Sequence, residues 1–132
     1  MTTAPDVLAI AVRNLGLARL TRHLFLCATP TKPKCCDPAV GLATWEYLKQ
    51  RLKVLGLDDP SSYDLPLVGR SKVDCLRVCT QGPILLVYPD GIWYHSVTPE
   101  VMECILQEHL LNNRVVEAFA FCRTRFQGGT GD

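Results

Sequence analysis

The stretch CLRVCTQGPILLVYPDGIWYHSVTPEV, residues 75–101, carries the reading of the fold. Ile84–Tyr88 is a short continuous apolar run, the pattern of a strand buried on both faces. Ile92–Val97 is a second strand-like run, and Pro89-Asp90-Gly91 between them supplies turn chemistry, so the pair reads as an antiparallel hairpin. Thr98-Pro99-Glu100 then opens a helix: a capping hydroxyl, a proline whose missing N–H costs nothing at the first position, and an acid near the positive end of the helix dipole. That helix is expected to reach about Leu111 and to stop at Asn112-Asn113. Ahead of the hairpin, the loop Asp74–Pro83 carries Cys75 and Cys79, spaced C-x3-C.

Working outward, His23–Ala28 (HLFLCA) is another buried-strand pattern. Thr29–Pro38 holds three prolines and two lysines and reads as an irregular loop. Gly41–Leu55 is the clearest helix, with Leu42, Trp45, Leu48, Leu52 and Leu55 as one stripe and Gly56 placed to end it. Asp58–Asp64 is a turn-rich link, and Leu67–Val73 reads as a strand. At the start, Asp6 can cap a helix over Val7–Leu20, weakened or ended at Gly16. Val115–Phe121 is a last short strand, and Gln127–Asp132 reads as a disordered tail. The order of elements predicts an α/β sandwich with a small mixed sheet flanked by helices.

The 132 residues suffice for one domain with a real core, and 48% hydrophobic against 20% charged residues is ordinary for a globular chain. A net charge of +1 argues against nucleic acid as a partner, because a polyanion needs a concentrated basic surface. No run of eighteen apolar residues exists, so no membrane-spanning helix is expected. Nothing basic precedes Val7–Val12, and Arg13, Asn14 and Arg19 break the apolar pattern, so no signal peptide is read. The expected compartment is therefore reducing, that is, cytoplasmic.

Seven cysteines are the unusual feature, and an odd number cannot pair completely within one chain. Cys104 and Cys122 are read as small buried hydrophobes. The other five fall in two groups: Cys27 ends the first strand with Cys35 and Cys36 in the loop after it, and Cys75 and Cys79 share the loop before the hairpin. Two thiolates from each group make four, which suits zinc or an iron–sulfur cluster. Neither group contains the tight C-x2-C knuckle usual for structural zinc, and loose loops of unequal length suit the wider [2Fe-2S] cluster better. Spacing alone leaves open the cluster, a structural or sensing zinc site, and a thiol–disulfide oxidoreductase. The last lacks the C-x-x-C expected of a thioredoxin-type dithiol.

Three pieces resemble the thioredoxin-like [2Fe-2S] ferredoxins, a family related to the small iron–sulfur subunit of NADH dehydrogenases: HLFLC at 23–27, CCDPAVGLATWEYLKQRLKVLGL at 35–57, and the stretch at 75–101. TKPKCC before the helix is most similar to the cyanobacterial branch. The resemblance covers about residues 22–121, leaving 1–21 as an N-terminal helical extension and 122–132 as a flexible tail. It implies a thioredoxin-like fold, a one-electron carrier rather than an enzyme, redox proteins as partners and commonly a homodimer. Residue by residue, it implies Cys27, Cys75 and Cys79 as ligands, with Cys36 as the fourth and Cys35 as the alternative. Neighbouring side chains in an extended segment point in opposite directions, so Cys35 and Cys36 do not easily face one iron together.

Lys32, Lys34, Arg70, Lys72 and Arg77 lie close in sequence to the cysteine loops and would make a docking rim for a partner with an acidic patch. Trp93 and Tyr94 are expected to pack in the core. Pro83 follows Gly82 where thioredoxin-like folds often place a cis proline. His23, His95 and His109 are scattered and read as surface or core residues, since a Rieske site needs a pair of histidines on one iron. No phosphate loop, nucleotide fingerprint or Ser/His/Asp set is visible.

Overall fold

The computed structural model describes residues 4–28, 37–78 and 80–126. Its elements run in the order α1 (Ala4–Leu15), a 3-10 turn (Leu17–Arg19), β1 (Leu20–Cys27), α2 (Pro38–Val54), β2 (Leu67–Val73), β3 (Leu85–Tyr88), β4 (Ile92–Tyr94), α3 (Pro99–Cys104), wider π-type turns (Ile105–Leu110) and β5 (Ala120–Arg123). The strands form one sheet in the order β2-β1-β3-β4-β5. β1 and β2 run parallel, and every other neighbouring pair is antiparallel. This is the mixed sheet that the pattern of runs predicts.

Alternation along the strands separates two faces. Leu24 and Leu26 of β1, Leu85 and Val87 of β3, and Ile92 and Tyr94 of β4 join the main core with Leu48 and Leu52 of α2 and Val101 and Met102 of α3. Both helices therefore cover the same face. Leu48 and Leu52 are fully buried, each contributing roughly 1.5–3 kcal/mol of apolar burial. On the opposite face Ser71, Phe25, Leu86, Trp93 and Cys122 are successive partners across all five strands.

Several boundaries move from their expected places. The first helix ends at Leu15, because Gly16 turns left-handed (φ 67) and a 3-10 turn follows. α2 starts earlier, with Asp37 accepting from the N–H of Ala39 and Pro38 in its first turn. Its buried positions are Gly41, Thr44, Leu48 and Leu52, while Leu42 is exposed. The buried face is rotated from the expected stripe because Thr44 satisfies its hydroxyl inside, donating 2.8 Å to the Val97 carbonyl. Gly56 takes the positive φ of a helix end (74°), as its position implied. β4 stops at Tyr94, since Ser96 turns to φ 54 and donates its N–H to the Gln81 carbonyl. The last strand sits later than expected, at Ala120–Arg123.

Candidate metal centre

The parallel pairing of β1 and β2 decides where the cysteines go. Cys27 is the last residue of β1 and lies opposite Val73, the last residue of β2. Parallel strands end at the same edge, so the segment after Cys27 and the loop holding Cys75 leave the sheet side by side. Cys27 is 3% exposed and its N–H donates 3.0 Å to the Ile84 carbonyl. Its Sγ lies 3.6 Å from the Asp74 carbonyl oxygen. Ile84, Val73, Leu76, Val78 and Trp93 surround it as a small apolar cluster distinct from the main core.

Cys75 is exposed, and its Sγ accepts the backbone N–H of Arg77 at 3.1 Å. Arg77 adopts a left-handed backbone (φ 72), unusual for a side chain of that size, and this local turn lies where the N–H meets the sulfur. An N–H bond to a thiolate stabilises its negative charge, as metal–thiolate sites require. Cys35, Cys36 and Cys79 lie outside the described residues, as do Lys32 and Lys34. Among the described residues no group of three metal-binding side chains converges. The two described thiols are what the structure brings to this end: one buried at a strand terminus, one in the adjoining loop.

The start of α2 lies beside the end of β1. Asp37, directly after Cys36 in the chain, caps α2. At Gly41 a Cβ atom would stand 1.8 Å from the Ala28 carbonyl oxygen, so only glycine lets the first turn of α2 rest against the residue that follows Cys27. This contact holds the start of α2 beside the end of β1. Composition marked Gly41 only as a helix-start residue; a close backbone approach leaves no sequence signal distinct from that.

Cys104 and Cys122 depart from expectation: both are exposed rather than buried. Cys104 ends α3, and Cys122 sits on β5, the edge of the sheet among the described residues. Tyr94 is fully buried in the main core, whereas half-buried Trp93 packs on the Cys27 side. The Gly82–Pro83 bond is cis, as the resemblance implied, and Tyr88–Pro89 is cis as well. Of the basic residues, exposed Arg77 belongs to the Cys75 loop. Arg70 pairs with Leu24 in mid-sheet, with its guanidinium 5.9 Å from the centre of the Trp45 ring. Lys72, exposed, pairs with Leu26 nearer the cysteine end.

At the opposite end of the sheet lies a network that residue spacing did not disclose. His109, 1% exposed, bonds to Tyr94 Oη through Nδ1 (2.8 Å) and to Asp90 Oδ2 through Nε2 (2.7 Å). Arg22 Nε donates to both oxygens of Asp90, and its guanidinium also reaches Asn113 Oδ1 at 2.7 Å. Burial lowers the His109 pKa from its ordinary value, against the pull of Asp90. Burial pushes Asp90 upward, but the hydrogen bond from His109 and the charge of Arg22 prevail and hold it below the ordinary carboxylate value.

Comparison with known proteins agrees with this architecture. A solved thioredoxin-like [2Fe-2S] ferredoxin from Aquifex aeolicus superposes with a TM-score of 0.65 at 24% identity, covering 85% of this chain and 99% of that one. Among curated proteins, "Ferredoxin, 2Fe-2S" of Aquifex aeolicus (strain VF5) is 24% identical over 111 residues, covering 81% of this chain and 95% of its own. "Ferredoxin, 2Fe-2S" of Clostridium pasteurianum is 46% identical over 43 residues, 33% of this chain. These likenesses give the chain the fold of the thioredoxin-like [2Fe-2S] ferredoxins. The Clostridium ferredoxin is matched over 42% of its length. No family model matches the chain. The five-stranded mixed sheet with two helices on one face is the thioredoxin-like ferredoxin fold in this sequence.

Proposed function

We propose that the chain is a one-electron carrier whose [2Fe-2S] cluster is held by Cys27, Cys75, Cys79 and Cys36, with Cys35 as the alternative to Cys36. The observation that supports this reading is the Cys27–Val73 register across parallel strands, which puts Cys27 and the start of the Cys75 loop at one end of the sheet. The donor set fits the group: a buried thiol fixed by a strand, and a loop thiol that already accepts an N–H bond. When bound, the cluster supplies a site that takes up and releases one electron. The chain's own residues set the conditions. Cys27 is positioned by its N–H bond to Ile84, and Val73, Leu76, Val78, Ile84 and Trp93 keep water from its sulfur. The Arg77 N–H on Cys75 Sγ stabilises negative charge there and raises the potential.

The same reading makes the chain an electron carrier without an enzymatic reaction of its own, working in the cytoplasm with redox proteins. Arg77 and Lys72, with Lys32 and Lys34, supply positive charge for a partner with an acidic docking patch. No described helix is long and apolar enough to cross a membrane. A homodimer fits the family pattern.

The test is anaerobic purification followed by visible absorption, electron paramagnetic resonance of the dithionite-reduced protein, and iron and sulfide analysis. A red-brown protein with two irons and two sulfides per chain, giving a signal only when reduced, is the expected result. A colourless protein with one zinc overturns the reading in favour of a zinc module. An iron-free protein that turns over disulfides overturns it in favour of a thiol oxidoreductase.

A further inference from the structure

The Tyr94–His109–Asp90 network holds no thiol, and its geometry fixes which atom carries each proton. Arg22 donates to both oxygens of Asp90, which is held as a carboxylate. A carboxylate only accepts, so His109 Nε2 carries a hydrogen and donates it to Asp90 Oδ2. The neutral ring then has its lone pair at Nδ1, 2.8 Å from Tyr94 Oη, and the phenol donates to it. The Val116 N–H occupies another side of the phenol oxygen. Burial lowers the His109 pKa and raises that of Tyr94, so near neutral pH the ring is free to accept and the phenol keeps its proton. Arg22 of β1, Asp90 of the hairpin turn and Glu117 ahead of β5 are the charged groups that act on the pair. Tyr94 is fully buried, whereas Tyr63 and Tyr88 are exposed. Its chain neighbour Trp93 points to the other face of the sheet, against the Cys27 group, with its indole N–H donated to Thr124 Oγ1 at 2.8 Å.

We infer that Tyr94 is a redox-active tyrosine, which gives one electron to an oxidised Trp93 and, in the same step, its phenolic proton to His109 Nδ1. The oxidant is a strongly oxidising oxygen-centred radical, which takes one electron from half-buried Trp93 and becomes an anion. The resulting indole radical cation keeps its N–H on Thr124. Tyr94 refills Trp93 with one electron while its Oη–H bond breaks and an Nδ1–H bond forms on His109. The products are an intact Trp93, a neutral tyrosyl radical and an imidazolium whose charge Asp90 balances. Loss of the electron alone would leave a phenol cation in an apolar core, where an unpaired charge is costly. Passing the proton to the imidazole puts the positive charge beside a carboxylate instead. A one-electron reductant of the ascorbate class reverses the step, with His109 returning the proton. The pair thus draws an oxidising equivalent off the Cys27 side of the sheet and into the main core. This chemistry does not require the cluster reading to hold.

Flash photolysis of the full chain as purified, with ruthenium tris-bipyridine and persulfate, whose sulfate radical is oxygen-centred, tests the proposal. Transient absorption and freeze-quench electron paramagnetic resonance read the radical. A long-lived tyrosyl radical is expected, lost in Tyr94→Phe and carrying a hydrogen-bond proton coupling that heavy water removes. His109→Gln can still accept the hydrogen bond but not the proton, so a purely structural histidine would leave the rate unchanged. Radical formation should instead slow about a hundredfold in this variant, the low end of what a positioned proton acceptor contributes. Trp93→Phe should slow it as well. On the unaltered chain the rate should fall in heavy water, and again as pH drops through the lowered His109 pKa, so the test stands even where a variant fails to fold. Radicals confined to Tyr63 and Tyr88 overturn the proposal, as does a rate indifferent to both heavy water and pH. A wild-type rate in folded His109→Gln or in Trp93→Phe overturns it too. Visible absorption, recorded on the same samples before the flash, reports the cluster reading separately.

Discussion

Tyr94 Oη lies 2.8 Å from His109 Nδ1, and the other nitrogen of that ring lies 2.7 Å from Asp90 Oδ2. The hydroxyl also accepts the N–H of Val116 at 3.1 Å. One buried imidazole therefore ties the π-type turns after α3 to the β3–β4 hairpin and to the segment leading into β5. His109→Phe removes both bonds and leaves Tyr94 and Asp90 short of a partner, at a cost of about 2 kcal/mol in denaturant unfolding. The sign of the pH dependence follows from the lowered pKa of His109. Below the ordinary value of 6.5 the unfolded chain binds a proton that the folded chain resists, so stability is full above that pH and falls as pH drops through it. The variant should show a shallower fall. His23, whose pKa burial also lowers, keeps its own share of the slope. An unchanged slope would remove His109 from this role.

Cys27, Cys75 and Cys79 should each be required for a stable cluster, because losing one thiolate opens an iron to solvent. Iron per chain, measured in the Ser variants, is expected to drop to a small fraction of the wild-type value. Between the described pair, Cys27→Ser should be more severe than Cys75→Ser, since the Cys27 sulfur is the buried one. Full occupancy with an unchanged spectrum in any of the three would sink the four-cysteine assignment.

For the vicinal pair, Cys36→Ala is expected to disturb the spectrum more than Cys35→Ala. Cys36 is the chain neighbour of Asp37, which the α2 cap holds in place. The reverse order moves the ligand to Cys35, and equal mild effects mean that either residue serves.

Gly41→Ala should separate the first turn of α2 from the end of β1. A Cβ atom there meets backbone, which cannot swing aside as a side chain can. Destabilisation of about 1–3 kcal/mol is expected from the overpacking, together with reduced iron loading at the neighbouring Cys27. Wild-type stability in this variant would mean that the helix start yields at little cost.

Reversing charge in Lys34→Glu/Lys72→Glu should slow electron transfer to the cognate partner at low salt and flatten the salt dependence. Exposed charges are screened beyond about 10 Å at 0.1 M ionic strength. Stopped-flow rates at low and high salt read this directly. A rate indifferent to both changes would show that docking is apolar or uses another face.

The hairpin, the buried strands and the α3 cap were legible because each rests on local chemistry: apolar runs, Pro-Asp-Gly, and Thr-Pro-Glu. Thr98 Oγ1 does accept the N–H of Val101, at 3.3 Å. The α2 stripe was misplaced because Thr44, polar by type, is buried through a bond to Val97, fifty-three residues away. The exposure of Cys122 was equally hidden, since it depends on which strand forms the sheet edge, and that of Cys104 depends on which side of α3 is covered. At the candidate site, spacing disclosed which cysteines cluster in the chain. The physical reason Cys27 and the start of the Cys75 loop share one end, parallel pairing of β1 with β2, is a long-range register that no local pattern states. The Arg22–Asp90–His109–Tyr94 chain joins four segments and was invisible for the same reason.

Cys27 and Ile84 form a small apolar group apart from the main core, which Leu24, Leu48, Leu52, Tyr94 and Met102 build without any thiol. The protein's solidity and its metal chemistry thus draw on different atoms. A main core without thiols is expected to fold whether or not metal is held at the cysteine end, so removing metal should leave the body of the chain intact.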